Sequence, residues 1–155
     1  MEKSLELLVL LLAALATGGL LVNWIGLARA MSRLSASAYV EVHQATNHTF
    51  DPYMPIVVIG AVAGGIVLAA MYGIHSVPGQ LATAGAVGYA LVIVIGVPAC
   101  VRINYQVASW SVQNPPHGRG ATRARWIRSH IIRTLCSIPA FATYVLAVMS
   151  STGRP

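Results

Sequence analysis

Three short stretches of this sequence collect most of the side chains able to do chemistry. The first, SRLSASAYVEVHQATNHTFDPYMP, carries Glu41, His43, Gln44, Asn47 and His48, with Asp51 just beyond. The second, VRINYQVASW, carries Arg102, Asn104, Tyr105, Gln106 and Trp110. The third, RARWIRSHIIR, spaces Trp126, His130 and Arg133 by four and three residues, which sets them on one helix face. An imidazole suits proton transfer near neutral pH. A guanidinium or an amide suits stabilisation of a developing oxyanion. Histidines with a carboxylate also suit a metal, so His43, His48, His130 and Glu41 are candidate ligands for copper or non-haem iron. That set needs help from the fold, because His43 and His48 are five residues apart and about 140° around a helix from each other.

On a helix, Glu41, Gln44 or Ala45, and His48 share one face, and His43 and Asn47 share an adjacent one. Two placements fit this pattern. The segment is an interfacial helix with its polar side in water, or it extends the next span and turns the patch into a bundle. Arg102 has two placements as well: its head snorkels to the membrane surface, or it faces a cavity. Asn104 has no such reach and is expected to cap or crosslink helices. His130 and Arg133 either sit at headgroup level or point inward towards Glu41, Gln44, His48 or Asn104.

The elements that position these groups must be membrane helices. Of 155 residues, 56% are apolar and 9% charged, against about 45–50% and about 25% in soluble domains. This excludes a soluble globule, a disordered chain, a coiled coil and a nucleic-acid-binding module. Four apolar runs follow, at about 5–27, 54–74, 80–103 and 131–150, in a single domain covering 1–155. The first is too long for a signal-peptide core and starts among Glu2 and Glu6, so it reads as a retained span. Pro55 suits a first helical turn, Pro98 should disturb the third span, and Pro139 lies inside the fourth. The expected fold is all-α, an integral-membrane up-down four-helix bundle with an interfacial or extended helix between spans one and two.

The net charge is +6, and nine of the ten basic residues are Arg. Loop one holds Arg29 and Arg33; loop three holds Arg119, Arg123, Arg125 and Arg128, with Arg102 at its edge. The ends hold only Lys3 and Arg154, and the His75–Gly79 turn holds neither Lys nor Arg. The positive-inside rule then makes loops one and three cytoplasmic and both ends external, in what the Arg-rich usage suggests is a bacterial inner membrane. Gly60, Gly64, Gly65, Gly85 and Gly88 offer small-residue faces that suit a homo-oligomer. Cys100 and Cys136 show no metal or disulfide spacing and read as small buried residues.

The runs AYVEVHQATNHTFDPYMP, VRINYQVASW and RARWIRSHIIR, in this order around apolar spans, resemble the anthrone oxygenase-like family of small four-span membrane proteins. The resemblance extends from about Gly18 to Ala147. Its most specific part is Trp126, His130 and Arg133 following a third span that ends in Asn104. One departure is visible: where the family commonly carries Asn-x-Pro-x-Asn, Cys100 and Arg102 replace the first Asn and the Pro. The resemblance implies oxidation of an apolar aromatic substrate, such as an anthrone, by O₂ without flavin, haem or nicotinamide. On that reading His130 or His48 is the base, Arg133 and Asn104 stabilise oxyanions, and Glu41 and Gln44 orient the histidine. Trp24, Asn47, Trp126, Arg102 and Tyr105 would line the pocket. The expected partners are O₂, a hydrophobic small molecule and the lipid bilayer, with no cofactor and no nucleic acid. Two alternatives stand beside this one: a metal-dependent oxidase, and a non-catalytic bundle that binds lipid, quinone or a partner protein. A structural crosslink should be closed and fully paired, whereas a site should open into a cavity.

Overall fold

Each apolar run forms a helix long enough to cross a bilayer. The computed structural model describes residues 2–50 and 53–151; Asp51 and Arg154, invoked above, lie outside the described residues. Helix α1 covers Glu2–Ser32, α3 covers Met54–Tyr72, α4 covers Val77–Ala108 and α5 covers Arg119–Ser151. The short helix α2, Ala36–Phe50, lies between α1 and α3. The chain is an integral membrane four-helix bundle, and α2 is an added helix at one end. The last two long helices outrun the apolar stretches: α4 starts at Val77 and continues to Ala108, and α5 starts at Arg119.

The α3–α4 connection is tight for identifiable reasons. Gly73 takes φ +83°, a conformation that side chains disfavour. Ser76 then caps α4 by accepting from the Gly79 N–H at 3.1 Å. The two helices therefore run antiparallel from this end, while α5 packs along α4 and α1 packs along α3 and α5.

The bundle interior is built from small residues around two aromatic wedges. Ala13, Ala16, Ala61, Ala82, Ala140 and Ala147 are buried beside Tyr89 and Tyr144. Tyr144 lies against Gly65 and Gly85, where a Cβ on either glycine would collide with its ring or hydroxyl. Gly60, Gly64 and Gly88 likewise face Leu12, Val9 and Ala140 of the same chain. The glycines thus serve packing within the bundle, so the interface between copies expected from them is not where they point. Polar groups in this interior are paired. Tyr144 Oη donates to the Ala61 carbonyl at 2.7 Å, Tyr89 Oη to that of Ala13 at 2.9 Å, and Thr134 Oγ1 to that of Leu20 at 3.1 Å. At the far end, the buried Glu6 carboxylate accepts from Tyr72 Oη at 2.8 Å, Lys3 Nζ at 3.1 Å and Ser151 Oγ at 3.2 Å.

Two helices widen locally. A π-helical turn spans Asn23–Ala28 in α1 and another spans Val97–Val101 in α4. The second contains Pro98, whose missing N–H cannot close the regular ladder, as the sequence predicts. Around these turns a second apolar cluster of Ala28, Met31, Tyr39, Val40, Ile103, Val107 and Trp126 joins α1, α2, α4 and α5.

Candidate functional site

The site lies where α2 covers the end of the bundle. At 1.5 Å per residue, Asn23 is about 32 Å from Glu2, Val97 about 30 Å from Val77, and His130 about 32 Å from Ser151. Three helices therefore bring their irregular or polar residues to one level. There they enclose a cavity of about 180 Å³. Its polar wall is Asn23, Asn47, Asn104, His130 and Arg133, and its apolar wall includes Met54, Val58, Ile93 and Val97. A wider cleft of about 500 Å³, lined by Gln44, His48 and Tyr105 among others, shares Asn47, Pro55, Val101 and Asn104 with it.

An aromatic stack anchors the polar wall. The indole of Trp126 lies between two imidazoles, with ring centroids 4.8 Å from His43 and 4.2 Å from His130. Tyr39 closes the stack edge-on to His43 at 5.4 Å. Asn104 Oδ1 accepts from Trp126 Nε1 at 2.9 Å and lies 3.3 Å from His43 Nε2. An indole N–H can only donate, so the Asn104 atom facing it is the oxygen. His43 Nε2 must then carry a hydrogen and donate, which leaves its Nδ1 as a bare lone pair. Burial pushes the His43 pKa below its ordinary value, although the Asn104 contact works the other way. Burial raises the Tyr39 phenol to about 12, so it stays protonated; the Arg123 charge opposes this. Arg123 lies 5.3 Å from the centre of the Tyr39 ring and donates to the Met31 carbonyl at 3.0 Å, which ties α5 to the end of α1.

The cavity wall is short of partners. Among the described residues, buried side-chain atoms with no hydrogen-bond partner in the protein are Asn23 Oδ1, Tyr39 Oη, His43 Nδ1, Asn47 Nδ2, His130 Nδ1 and Arg133 Nε. All six belong to this end of the bundle, and Asn23, Asn47, His130 and Arg133 line the cavity. Among the described residues the ion pair is Lys3–Glu6, at the other end, and none involves Arg133. Leaving one buried polar group unpaired costs about 1–3 kcal/mol. Four around one space describe a surface shaped for a polar ligand group.

The structure sorts the residues expected from sequence. His130, Arg133, Asn104, Asn47 and Trp126 are brought together. Glu41 and His48 are exposed and Glu41 lines neither space. Both point about 160–180° away from Tyr39 around α2, and it is the Tyr39, Val40, His43 and Asn47 side that docks. Glu41 therefore cannot orient His130, and His48 borders only the outer cleft. Gln44 does not orient a histidine either; its Nε2 caps α4 by donating to the Val107 and Trp110 carbonyls, each at 3.0 Å. Tyr105 is 77% exposed, and Arg102 is exposed and lines neither space. Trp24 is half-buried but is not part of the cavity wall. Among the described residues no three His, Cys, Asp or Glu side chains gather as a metal-binding group. His43, His48, His130 and Glu41 are kept apart because Trp126 separates the two buried imidazoles and the other two face outward.

Sequence reasoning missed Asn23, Thr46, Gly96 and Cys100 in the cavity wall. Asn23 carried a signal: an amide inside an otherwise apolar span is costly and needs a purpose. Gly96 lets the guanidinium pack close to α4: a Cβ there would lie 2.8 Å from Arg133 Nε and would make that side chain shift.

Fold and site together define a class: a four-span integral membrane protein with a polar-walled cavity at one end. Compared with known proteins, the chain matches no family model, no curated sequence and no solved structure.

Proposed function

We propose that this protein is a membrane-embedded oxygenase acting with O₂ on a flat, apolar, aromatic substrate of the anthrone type. The observation that carries the reading is the gathering of unpaired polar atoms around one cavity: four of the six found among the described residues, His130 Nδ1 and Arg133 Nε among them, line it. The family resemblance of the three polar runs supports the same reaction. His130 takes a proton from the acidic CH₂ of the substrate. Arg133 faces the oxygen on which the resulting negative charge rests. The carbanion passes one electron to O₂, and the radical pair joins as a peroxide. Proton return and loss of water leave a carbonyl, so CH₂ and O₂ become C=O and H₂O. The apolar wall and the cover of α2 keep bulk water from the carbanion.

The charge pattern supports an orientation as well. Arg29, Arg33, Arg102, Arg125 and Arg128 are all exposed at the cavity end, and under the positive-inside rule this favours a cytoplasmic cavity end with the Glu6 end outside.

The test is anthrone conversion by purified protein in lipid nanodiscs, measured above the rate in protein-free nanodiscs. Wild type accelerates conversion. His130→Ala reduces it at least 100-fold, and Arg133→Gln reduces it by about 10²–10³. Full turnover in His130→Ala would remove that base from the mechanism. Binding of the substrate without conversion would leave a lipophile-binding bundle in place of an enzyme.

A further inference from the structure

The cavity has a mouth, and its rim is apolar and exposed. Several of its wall residues are also strongly exposed: Ile59 and Val97 are each 56% exposed, and Val101 and Phe50 are exposed too. These side chains reach the cavity and the outer surface at once. Ile59 belongs to α3 and Val97 to α4, so the opening lies between these two helices. Their connecting turn, Gly73 to Ser76, is at the far end. The hairpin is therefore closed there and open at the cavity. The π-helical turn at Val97–Val101 lies on the open side. Ile59 is five residues into α3, about 8 Å inside its near end. The mouth thus lies near one end of the apolar stretch of α3, a level that suits an apolar molecule with one polar end. Behind the apolar rim stand the unpaired Asn23, Asn47 and Arg133.

We infer that the gap between α3 and α4, rimmed by Ile59 and Val97, is a lateral portal through which a bilayer-dissolved lipophile enters, apolar body in the mouth and oxygen-bearing end towards Arg133. This deepens the proposed oxygenase reading by naming the route and the physical class of the substrate, and its test does not depend on turnover. The competing route is the outer cleft lined by the exposed, polar His48 and Tyr105, which suits entry from water.

Cys100 is a native reporter, because it is buried and lines the cavity. In a Cys136→Ser background in nanodiscs, the expectation is that neutral N-phenylmaleimide labels Cys100 at least tenfold faster than a sulfonated maleimide. Each rate is normalised to that with a free thiol. Ile59→Trp with Val97→Trp slows the neutral reagent at least tenfold. Ile66→Trp and Leu91→Trp, also lipid-exposed but away from the mouth, leave the rate within twofold. If the double variant does not fold, Val97→Phe alone is expected to slow labelling severalfold. Equal labelling by both reagents means entry through the aqueous cleft and overturns the portal. So does labelling that ignores the rim substitutions, or appears only after unfolding in SDS. Portal behaviour without anthrone turnover would sink the oxygenase reading alone. Turnover with equal labelling would sink the portal alone.

Discussion

Removing the Asn104 side chain isolates the contact that holds α2, α4 and α5 in register. In Asn104→Ala, Trp126 Nε1–H and His43 Nε2–H both lose their acceptor. Trp126 is 2% exposed and His43 0%, so neither donor can turn to bulk water. An unsatisfied buried donor costs about 1–3 kcal/mol, hence about 2–6 kcal/mol for two. The cavity beside Asn104 can admit a water to one of them, so the bottom of that range, about 2–3 kcal/mol, is expected. At about 2–4 °C per kcal/mol for a chain of this size, the melting temperature should fall by about 4–12 °C. The assay is thermal unfolding in detergent followed by circular dichroism, with Trp126 emission as a local probe. Asn104→Asp keeps an acceptor oxygen and should lose less than half as much. Wild-type stability and unchanged emission in Asn104→Ala would show that the stack does not depend on Asn104.

Three further outcomes are expected. Gly65→Ala or Gly85→Ala drives a Cβ into Tyr144 and should cost about 1–3 kcal/mol by overpacking; Gly26→Ala, with open space around it, should change the melting temperature little. Tyr72→Phe removes a donor to the buried Glu6 carboxylate and should lower stability by about 1.5–3 kcal/mol, read by the same melt. His43 has a depressed pKa in the fold, so the unfolded chain binds the proton first as pH falls. Stability should therefore drop below about pH 6.5, the ordinary His value, by up to about 1.4 kcal/mol per pH unit. Comparing wild type with His43→Gln between pH 7.5 and 5 isolates this share, and equal slopes would show that His43 contributes none of it.

The spans were legible because length and hydropathy leave no other solution for such a chain. Pro98 announced the wide turn in α4; the matching turn at Asn23–Ala28 has no proline and gave no such notice. The trio Trp126, His130 and Arg133 was legible from spacing alone, since a single helix carries it. The face of α2 was harder. Glu41, Gln44 and His48 look like the chemical side, but Tyr39 and Val40 decide which side docks, and they bring His43 and Asn47 with them. Burial of two apolar side chains outweighs the placement of Glu41 and His48, which water solvates well, while Gln44 reaches α4 from the flank. Asn23, Gly96 and Cys100 come from α1 and α4, and only tertiary packing sets them beside α5. The glycine faces misled for a similar reason: small residues permit close approach, but the sequence does not say whether the neighbour is the same chain or another copy.

The central claim is that the cavity wall does chemistry, and oxygen uptake tests it most directly. Wild-type protein in nanodiscs, given an anthrone in an oxygen electrode, should consume one O₂ per quinone formed, at least 100-fold faster than His130→Ala at equal protein. Uptake no faster than protein-free nanodiscs, with the protein folded by circular dichroism, would contradict the claim.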